Sequence, residues 1–126
     1  MMQREARFES KIQIYKKVIA ISVTDEPCSA DDRIPAAKAA DTMLTIDGVL
    51  ASFAVCRIVT SDRESIRISA RSSGTINVQL IMERLGGGGH YDQAAVESST
   101  VSLQKMLVNL RDAIDSYLAE NPQVLK

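Results

Sequence analysis

The chain has 126 residues, 45% of them hydrophobic, which is enough for one domain with a core of ordinary size. Fifteen lysines and arginines stand against sixteen aspartates and glutamates, a formal net charge of -1. This balance excludes an overall positive field that would hold duplex nucleic acid, so any anionic ligand must be bound locally. No apolar run approaches the roughly 18 to 20 residues that cross a bilayer, and MMQREARFES lacks the apolar core of a secretion signal. We therefore expect a cytoplasmic segment without direct membrane contact.

The first third of the chain predicts a linker, a strand and a helix. Residues 1–11 are polar and too few for a stable helix, which indicates a linker or the end of a preceding helix. The β-branched text over residues 12–23 predicts one central strand. Residues 25–32, DEPCSADD, have the composition of a turn. A helix should follow through AAKAADTML, with Asp32 as its cap and Pro35 in its first turn.

Two further strands are predicted in the middle of the chain. VLASFAVCRIV, residues 49–59, is apolar on both faces, which is typical of a buried strand. SIRISARS, residues 65–72, places isoleucines on one face and Arg67, Ser69 and Arg71 on the other. This alternation predicts a strand with one covered and one polar face, on which Arg67 is interpreted as part of a solvated rim.

The second half predicts two helices and a return to the sheet. Asn77 can cap a helix through VQLIMERL, and Gly86 suits the left-handed conformation at its C-terminus. A segment around residues 94–96 should return to the sheet. The final helix shows apolar side chains at helical spacing: Leu103, Met106, Leu107, Leu110, Ile114, Tyr117 and Leu118. The order βαββαβα predicts a single α/β domain, a mixed β-sheet flanked by helices, over residues 12–119, with a C-terminal tail at residues 120–126.

The most unusual feature is a run of four glycines followed by a histidine, residues 86–90. Ordering glycine costs roughly 0.5 to 1 kcal/mol per residue relative to alanine, so something should compensate. Backbone amides without Cβ atoms can approach an anion closely and form a concave nest for phosphate oxygens, to which His90 adds a side-chain donor. The alternative is a helix cap at Gly86, a flexible loop and a surface histidine. The run matches neither the Walker pattern nor a GxGxxG that follows a strand, which disfavours a P-loop nucleotidase.

Arg71 is the second candidate. An arginine on a polar strand face is commonly just solvated. However, ARSSGTIN gathers hydroxyls, a glycine and an amide around it, and a short helix then leads into the glycines. The hypothesis is that Arg71 and His90 converge on one anion, with solvation of Arg71 as the alternative. Asp31 and Asp32 are interpreted as helix caps, and no metal ligand or catalytic residue is assigned to this chain.

The text RISARSSGTINVQLIMERLGGGGHYDQAA resembles the C-terminal domain that accompanies DHH phosphoesterases. That family's pattern is an RS motif, an INV helix start and a GGGH loop followed by alanines, and the similarity extends over residues 18–118. Within the superfamily, GVLASFAV and the GGGGH text look most like the bacterial cyclic-di-AMP phosphodiesterases. Val96 stands where many oligonucleotide-degrading relatives have glycine, which favours the cyclic-dinucleotide branch.

The resemblance implies a division of labour between two domains. An N-terminal DHH domain of the same polypeptide would bind two manganese ions that activate water, and this domain, without a cofactor of its own, would close over the substrate. The parent enzyme would hydrolyse cyclic-di-AMP to the linear dinucleotide, and this chain alone is expected to be inactive. The residues implied to contact or position phosphate or nucleotide are Arg71, Ser72, Gly87, Gly88, Gly89 and His90.

Two other classes stay open. One is a domain of an oligoribonuclease or single-strand exonuclease of the DHH type, and the other is a noncatalytic nucleic-acid-binding module. The aromatic residues are few and scattered, which counts against a generic single-strand binder. Sequence upstream of the chain would separate the three classes. A homodimer of the parent protein, and its anchoring in the cell membrane, are also left open.

Overall fold

A computed structural model describes residues 12–29, 31 and 33–125, without the side chains of residues 25–27. In this part of the chain, six strands form one mixed sheet in the order β1-β2-β3-β4-β6-β5. The strands are β1 (Ile12–Tyr15), β2 (Ile19–Cys28), β3 (Ala51–Val59), β4 (Glu64–Ser72), β5 (Gly88–His90) and β6 (Gln93–Ser98). The helices are α1 (Arg33–Met43), α2 (Val78–Arg84) and α3 (Leu103–Glu120), followed by a 3-10 helix at Pro122–Leu125. The predicted class, a single α/β domain with a mixed sheet flanked by helices, is confirmed, with one strand added before β2 and one before β6.

The helices divide between the two faces of the sheet. β2 and β3 are parallel, and such a pair needs a crossover connection, which α1 supplies. α1 packs on β3 and β4, on the face that we call the α1 face, while α2 and α3 cover the other. Phe53 and Leu110 are fully buried in the larger core beneath α2 and α3, and Met43 is fully buried in the smaller core beneath α1. Complete burial of one such side chain contributes roughly 1.5 to 3 kcal/mol.

The single strand predicted over residues 12–23 is wrong at its middle. Lys16 and Lys17 have positive φ values of 55° and 71°, and the turn that they form folds β1 back against β2. The Tyr15 hydroxyl fixes this hairpin to α3 by donating to Asp115 Oδ1 at 2.8 Å. Lysine has no special preference for the left-handed region, so its presence between β-branched residues does not indicate a turn.

The turn predicted over residues 25–32 is also wrong in its first half. β2 continues to Cys28 and pairs with β3 through an irregularity between Thr24 and Pro27. Proline cannot donate to a ladder of hydrogen bonds, so it fits where the pairing is already shifted. The predicted cap Asp32 and the predicted linker at residues 1–11 lie outside the described residues.

β4 confirms the strand predicted over residues 65–72, but its second face is not solvated as expected. Ile66 and Ile68 are buried on the face of the larger core. On the α1 face, Ser69 is only 1% exposed and the Arg67 side chain 24% exposed. The periodicity of one strand cannot indicate that a helix from elsewhere in the chain will cover its polar face.

The final long helix is followed by further regular structure. α3 confirms the predicted final helix and begins at the Ser102 cap, whose hydroxyl accepts from the Lys105 N–H at 3.1 Å. After it, the 3-10 helix brings Val124 into the larger core, where it is 9% exposed. Part of the segment predicted as a tail, residues 120–126, therefore packs on the domain.

An ion pair joins α1 to β6 at one end of the α1 face. Arg33 Nε and Nη2 donate to the two carboxylate oxygens of Glu97 at 2.9 and 2.7 Å. The Ser65 hydroxyl donates to the same carboxylate at 3.0 Å, and Arg67 Nη1 lies 3.5 Å from it. These contacts, above all the hydrogen bond from Arg33, lower the pKa of Glu97 to about 2 although burial opposes the shift.

We expect the Glu97 carboxylate to make stability fall in acid. Because its pKa is lower in the folded state than its ordinary value of 4.5, its contribution is complete above that value and is lost as the pH falls towards 2. Between about pH 5 and about pH 2, the free energy of unfolding of the wild type should fall by about 2 kcal/mol more than that of Glu97→Gln, with solvent screening allowed for. Urea unfolding at a series of pH values measures this. Equal losses in the two proteins would contradict the expectation.

Candidate functional site

Residues 86–90 lie where α2 leads into the hairpin of β5 and β6. Gly86 has a φ of 93°, and its N–H donates to the Glu83 carbonyl at 3.1 Å, while the Gly87 N–H donates to the Met82 carbonyl at 2.8 Å. This pair of bonds is the Schellman pattern that ends many helices. Gly86 is thus confirmed as a helix C-terminal residue. The N–H groups of Gly86 and Gly87 are engaged within the chain, so these two do not form the anion nest expected from composition.

Gly87 and Gly89 let β5 lie close against β6. A Cβ atom at Gly87 would collide with the Ala95 carbonyl oxygen and would lie 2.6 Å from Val96 Cβ. A Cβ atom at Gly89 would lie 2.5 Å from Ala94 Cα, and the φ of Gly89, 146°, is one that other residues rarely adopt. Packing inside the domain therefore requires glycine at both positions, and at Gly89 the backbone conformation requires it as well.

Gly88 differs from its neighbours. A Cβ atom there would meet no described atom within 4 Å, and its φ lies outside the left-handed region. Neither its conformation nor its packing against the described residues requires glycine. The residue is half-buried and leaves its backbone accessible on the surface.

Backbone hydrogen bonds join the hairpin to the segment around Arg71. The Ser72 N–H donates to the Asp92 carbonyl and the Val78 N–H to the Tyr91 carbonyl, both at 2.9 Å. The two motifs that the sequence singled out, the RS pair and the glycines with histidine, are therefore held side by side.

Side chains around Tyr91 fix the loop that leads into α2. The Tyr91 hydroxyl donates to the Thr75 carbonyl at 3.4 Å. The pKa of Tyr91 is raised, mainly by its partial burial and to a smaller extent by the nearby Tyr117. The Tyr117 hydroxyl accepts from the Asn77 N–H at 2.9 Å. The Asn77 side chain accepts from the Leu80 N–H at 3.3 Å, which confirms Asn77 as the helix cap.

Arg71, Gln93 and His90 form a row across three strands. Arg71 of β4 lies opposite Gln93 of β6, and Gln93 lies opposite His90 of β5. Directly opposite residues of antiparallel strands point to the same face, so all three side chains lie on the α1 face. With strands about 4.8 Å apart, the Cα atoms of Arg71 and His90 are about 10 Å apart. The fold thus brings Arg71 and His90 to one face, and their joint binding of an anion stays a prediction.

Beyond α1, the described residues leave the α1 face open over β5 and the first residues of β6. Gln93 and His90 are exposed there, while Ala95 and Gly88, which lie opposite each other in the next row, are half-buried. We call Gly88, His90, Gln93 and Ala95 the open face. Gly88 and Ala95 are small and leave space above the sheet. The hydrogen-bonding side chains of the row lie along one side of that space.

Arg71 borders the open face from beneath α1. Its side chain is 15% exposed, its Nε donates to Asp41 Oδ1 at 2.9 Å, and its Nη1 donates to the Ala70 carbonyl at 2.9 Å. Among the described residues, none accepts a hydrogen bond from Nη2. The alternative of a merely solvated arginine is therefore wrong, because Arg71 is mostly buried and paired with a carboxylate of α1.

Ser72 does not share the face of Arg71. Successive strand residues point to opposite faces, and Ser72 is 7% exposed. Its hydroxyl accepts from the N–H groups of Gly74 and Ile76 at 3.0 and 3.3 Å. Ser72 therefore shapes the loop after β4, and a role in positioning a ligand would pass through that loop.

Two polar residues at this site, Gln93 and Asp41, were not predicted from the sequence. Gln93 follows His90 after a two-residue turn, so its position opposite His90 could have been found by interpreting residues 88–95 as a hairpin. Asp41 lies 30 positions before Arg71, and no local pattern signals their contact.

Within the described residues, no group of three or more His, Cys, Asp or Glu side chains could hold a metal ion. Over the same part of the chain, no helix is long and apolar enough to cross a membrane. A surface cavity of about 380 Å³ lies between α2 and α3, on the opposite side of the sheet from the open face, with Arg84 and Asp112 in its lining.

Solved structures with the same fold are distant in sequence. An exopolyphosphatase-related protein from Bacteroides fragilis aligns with 99% of this chain at a TM-score of 0.72 and 16% identity, over 36% of its own length. The pGpG-specific phosphodiesterase PggH from Vibrio cholerae aligns with 92% of this chain at a TM-score of 0.60 and 12% identity, over 39% of its length. These similarities show a shared fold.

Curated relatives are much closer in sequence. The cyclic-di-AMP phosphodiesterase GdpP of Bacillus subtilis is 42% identical over 115 residues, and the cyclic-di-AMP phosphodiesterase PdeA of Listeria monocytogenes is 42% identical over 114 residues. Each alignment covers 90% of this chain but 17% of the relative, so the chain spans about a sixth of the length of these proteins. Residues 16–120 match the DHHA1 domain family, and the chain belongs to that family.

Proposed function

We propose that this chain is the substrate-binding domain of a DHH phosphodiesterase that hydrolyses cyclic-di-AMP to the linear dinucleotide. The observation that carries the proposal is the row of Arg71, Gln93 and His90 beside a glycine, Gly88, that packing against the described residues does not explain. The similarity to GdpP and PdeA at 42% identity supports the choice of cyclic-di-AMP as substrate.

The residues of the row supply donors for a dianionic substrate. Arg71 Nη2 and His90 would hydrogen-bond phosphate oxygens, and charge-assisted bonds of this kind are the stronger class. Gly88 would let the ligand approach the backbone of β5. Gly87 and Gly89 would act through the position of β5, and Ser72 through the loop after β4.

The metal chemistry is assigned to another domain. We propose that two manganese ions are held by an N-terminal DHH domain of the same polypeptide, where they would activate water for attack on the phosphodiester. The described residues of this chain do not offer a ligand set for these ions, so its own task is to bind and orient the substrate. A ligand on the open face would then lie between the two domains.

The proposal is tested by comparing the two-domain protein with this chain alone. With manganese present, the two-domain protein should convert cyclic-di-AMP to the linear dinucleotide, and the 126-residue chain should give no turnover. Product formation is followed by chromatography, with a short linear oligonucleotide as a parallel substrate. Faster cleavage of the oligonucleotide would favour the oligoribonuclease class. Turnover by the isolated chain would refute the division of labour.

A further inference from the structure

Asp41 of α1 and the backbone of β4 together hold two of the three guanidinium nitrogens of Arg71 in place. The carboxylate accepts from Nε, while the Ala70 carbonyl accepts from Nη1. Two bonds in different directions fix the plane of a guanidinium group that otherwise has many rotamers. Of the terminal nitrogens, Nη2 is left without an acceptor among the described residues, and Arg71 itself lies opposite Gln93 in the row.

The position of Asp41 is itself well determined. The preceding residue, Ala40, accepts a hydrogen bond through its carbonyl from the buried Ser52 hydroxyl, and Ser52 lies directly opposite Arg71 in the sheet. At its other end, α1 is fixed to β6 by the Arg33–Glu97 pair. α1 is therefore attached to the sheet at its first residue and at the residue that precedes Asp41, and it presents Asp41 at a defined place.

We propose that Asp41 is a positioning residue, which orients Arg71 so that Nη2 is directed to a phosphate on the open face. The inference rests on the proposed function for the identity of the ligand. The Asp41 side chain is 58% exposed, so water screens its charge. The Arg71 side chain is only 15% exposed, so water competes less for its hydrogen bonds. The proposal requires that the orienting effect on Arg71 exceed the repulsion between Asp41 and an anionic ligand.

The order of Arg71 is tested on this chain without any ligand. Nitrogen-15 NMR of the Arg71 Nε–Hε group should show exchange with water about tenfold faster in Asp41→Ala than in the wild type, because one charge-assisted hydrogen bond is lost. Asp41→Asn keeps an acceptor oxygen and should stay close to the wild type. Equal exchange in Asp41→Ala and the wild type would overturn the inference, whatever the activity of the parent protein.

The consequence for binding is tested in the two-domain protein. Asp41→Ala should raise KM for cyclic-di-AMP about tenfold with little change in kcat, and should add nothing further in an Arg71→Ala background. Asp47→Ala, which removes an exposed carboxylate from the turn after α1, is the charge-matched control and should leave KM unchanged. A lower KM in Asp41→Ala would mean that repulsion dominates and would overturn the inference. If Arg71→Ala itself has no effect, the proposed function loses its binding residue, which is a different result from failure at Asp41 alone.

Discussion

Gly89→Ala is expected to lower the free energy of unfolding by about 3 kcal/mol. Overpacking of this kind costs roughly 1 to 3 kcal/mol, and a rare backbone conformation costs a similar amount. At Gly89 both apply, because a Cβ atom would lie 2.5 Å from Ala94 Cα and the φ is 146°. Denaturant unfolding measures the change, which should appear as a Tm lower by about 10 °C. An unfolding free energy within about 0.5 kcal/mol of the wild type would show that β5 does not pack as described.

Gly88→Ala is the matched control within the same three-residue strand. A Cβ atom there meets nothing within 4 Å, so stability should stay within about 0.5 kcal/mol of the wild type. In the two-domain protein, however, the added methyl group would stand on the open face and should weaken the binding of cyclic-di-AMP. Comparing Gly89→Ala with Gly88→Ala separates the two reasons for glycine. Gly89 is needed for folding, and Gly88 is needed for the ligand to reach the backbone of β5. Equal stability losses at both positions would remove the case for Gly88 as a contact.

The helices and strands that form the layers of the fold could be predicted, because local sequence patterns indicate them. The continuous apolar sequence of β3 and the helical spacing in α3 both reflect burial, which covers nearly all of β3 and one stripe of α3. The hairpin at Lys16 and Lys17 could not be predicted, because its two left-handed residues are of a type that does not favour that conformation. The extension of β2 to Cys28 depends on its partner strand, and a sequence window does not show the partner.

The candidate site could be predicted only in part, and for the same reason. Local composition identified Arg71 and the glycine run, because an arginine near hydroxyls and four glycines are unusual by themselves. The internal roles of Gly87 and Gly89 depend on atoms of β6 that a composition cannot reveal. The contact between Arg71 and Asp41 joins β4 to α1 across 30 positions and depends on the packing of the helix.

His90→Ala in the two-domain protein is expected to lower kcat/KM for cyclic-di-AMP about 100-fold, the effect of losing one donor to a charged oxygen in a closed site. His90 is exposed at the end of β5, so its removal should leave stability within about 0.5 kcal/mol of the wild type. Stopped assays across substrate concentrations give kcat and KM, and thermal unfolding of the same samples verifies the fold.

His90→Gln is the informative companion of this variant. Glutamine carries an N–H donor on a side chain of similar reach, so it should recover part of the loss if His90 acts through a hydrogen bond. If His90 instead acts only by shape, His90→Gln and His90→Ala should be equally impaired. A kcat/KM within about twofold of the wild type in His90→Ala would exclude His90 from the binding row, since even one neutral hydrogen bond contributes about 1 kcal/mol. Arg71 and His90 lie on opposite sides of Gln93, so combining their two alanine substitutions tests whether one ligand spans the row. Coupled losses in kcat/KM would indicate a single bound anion, and additive losses would indicate two separate contacts.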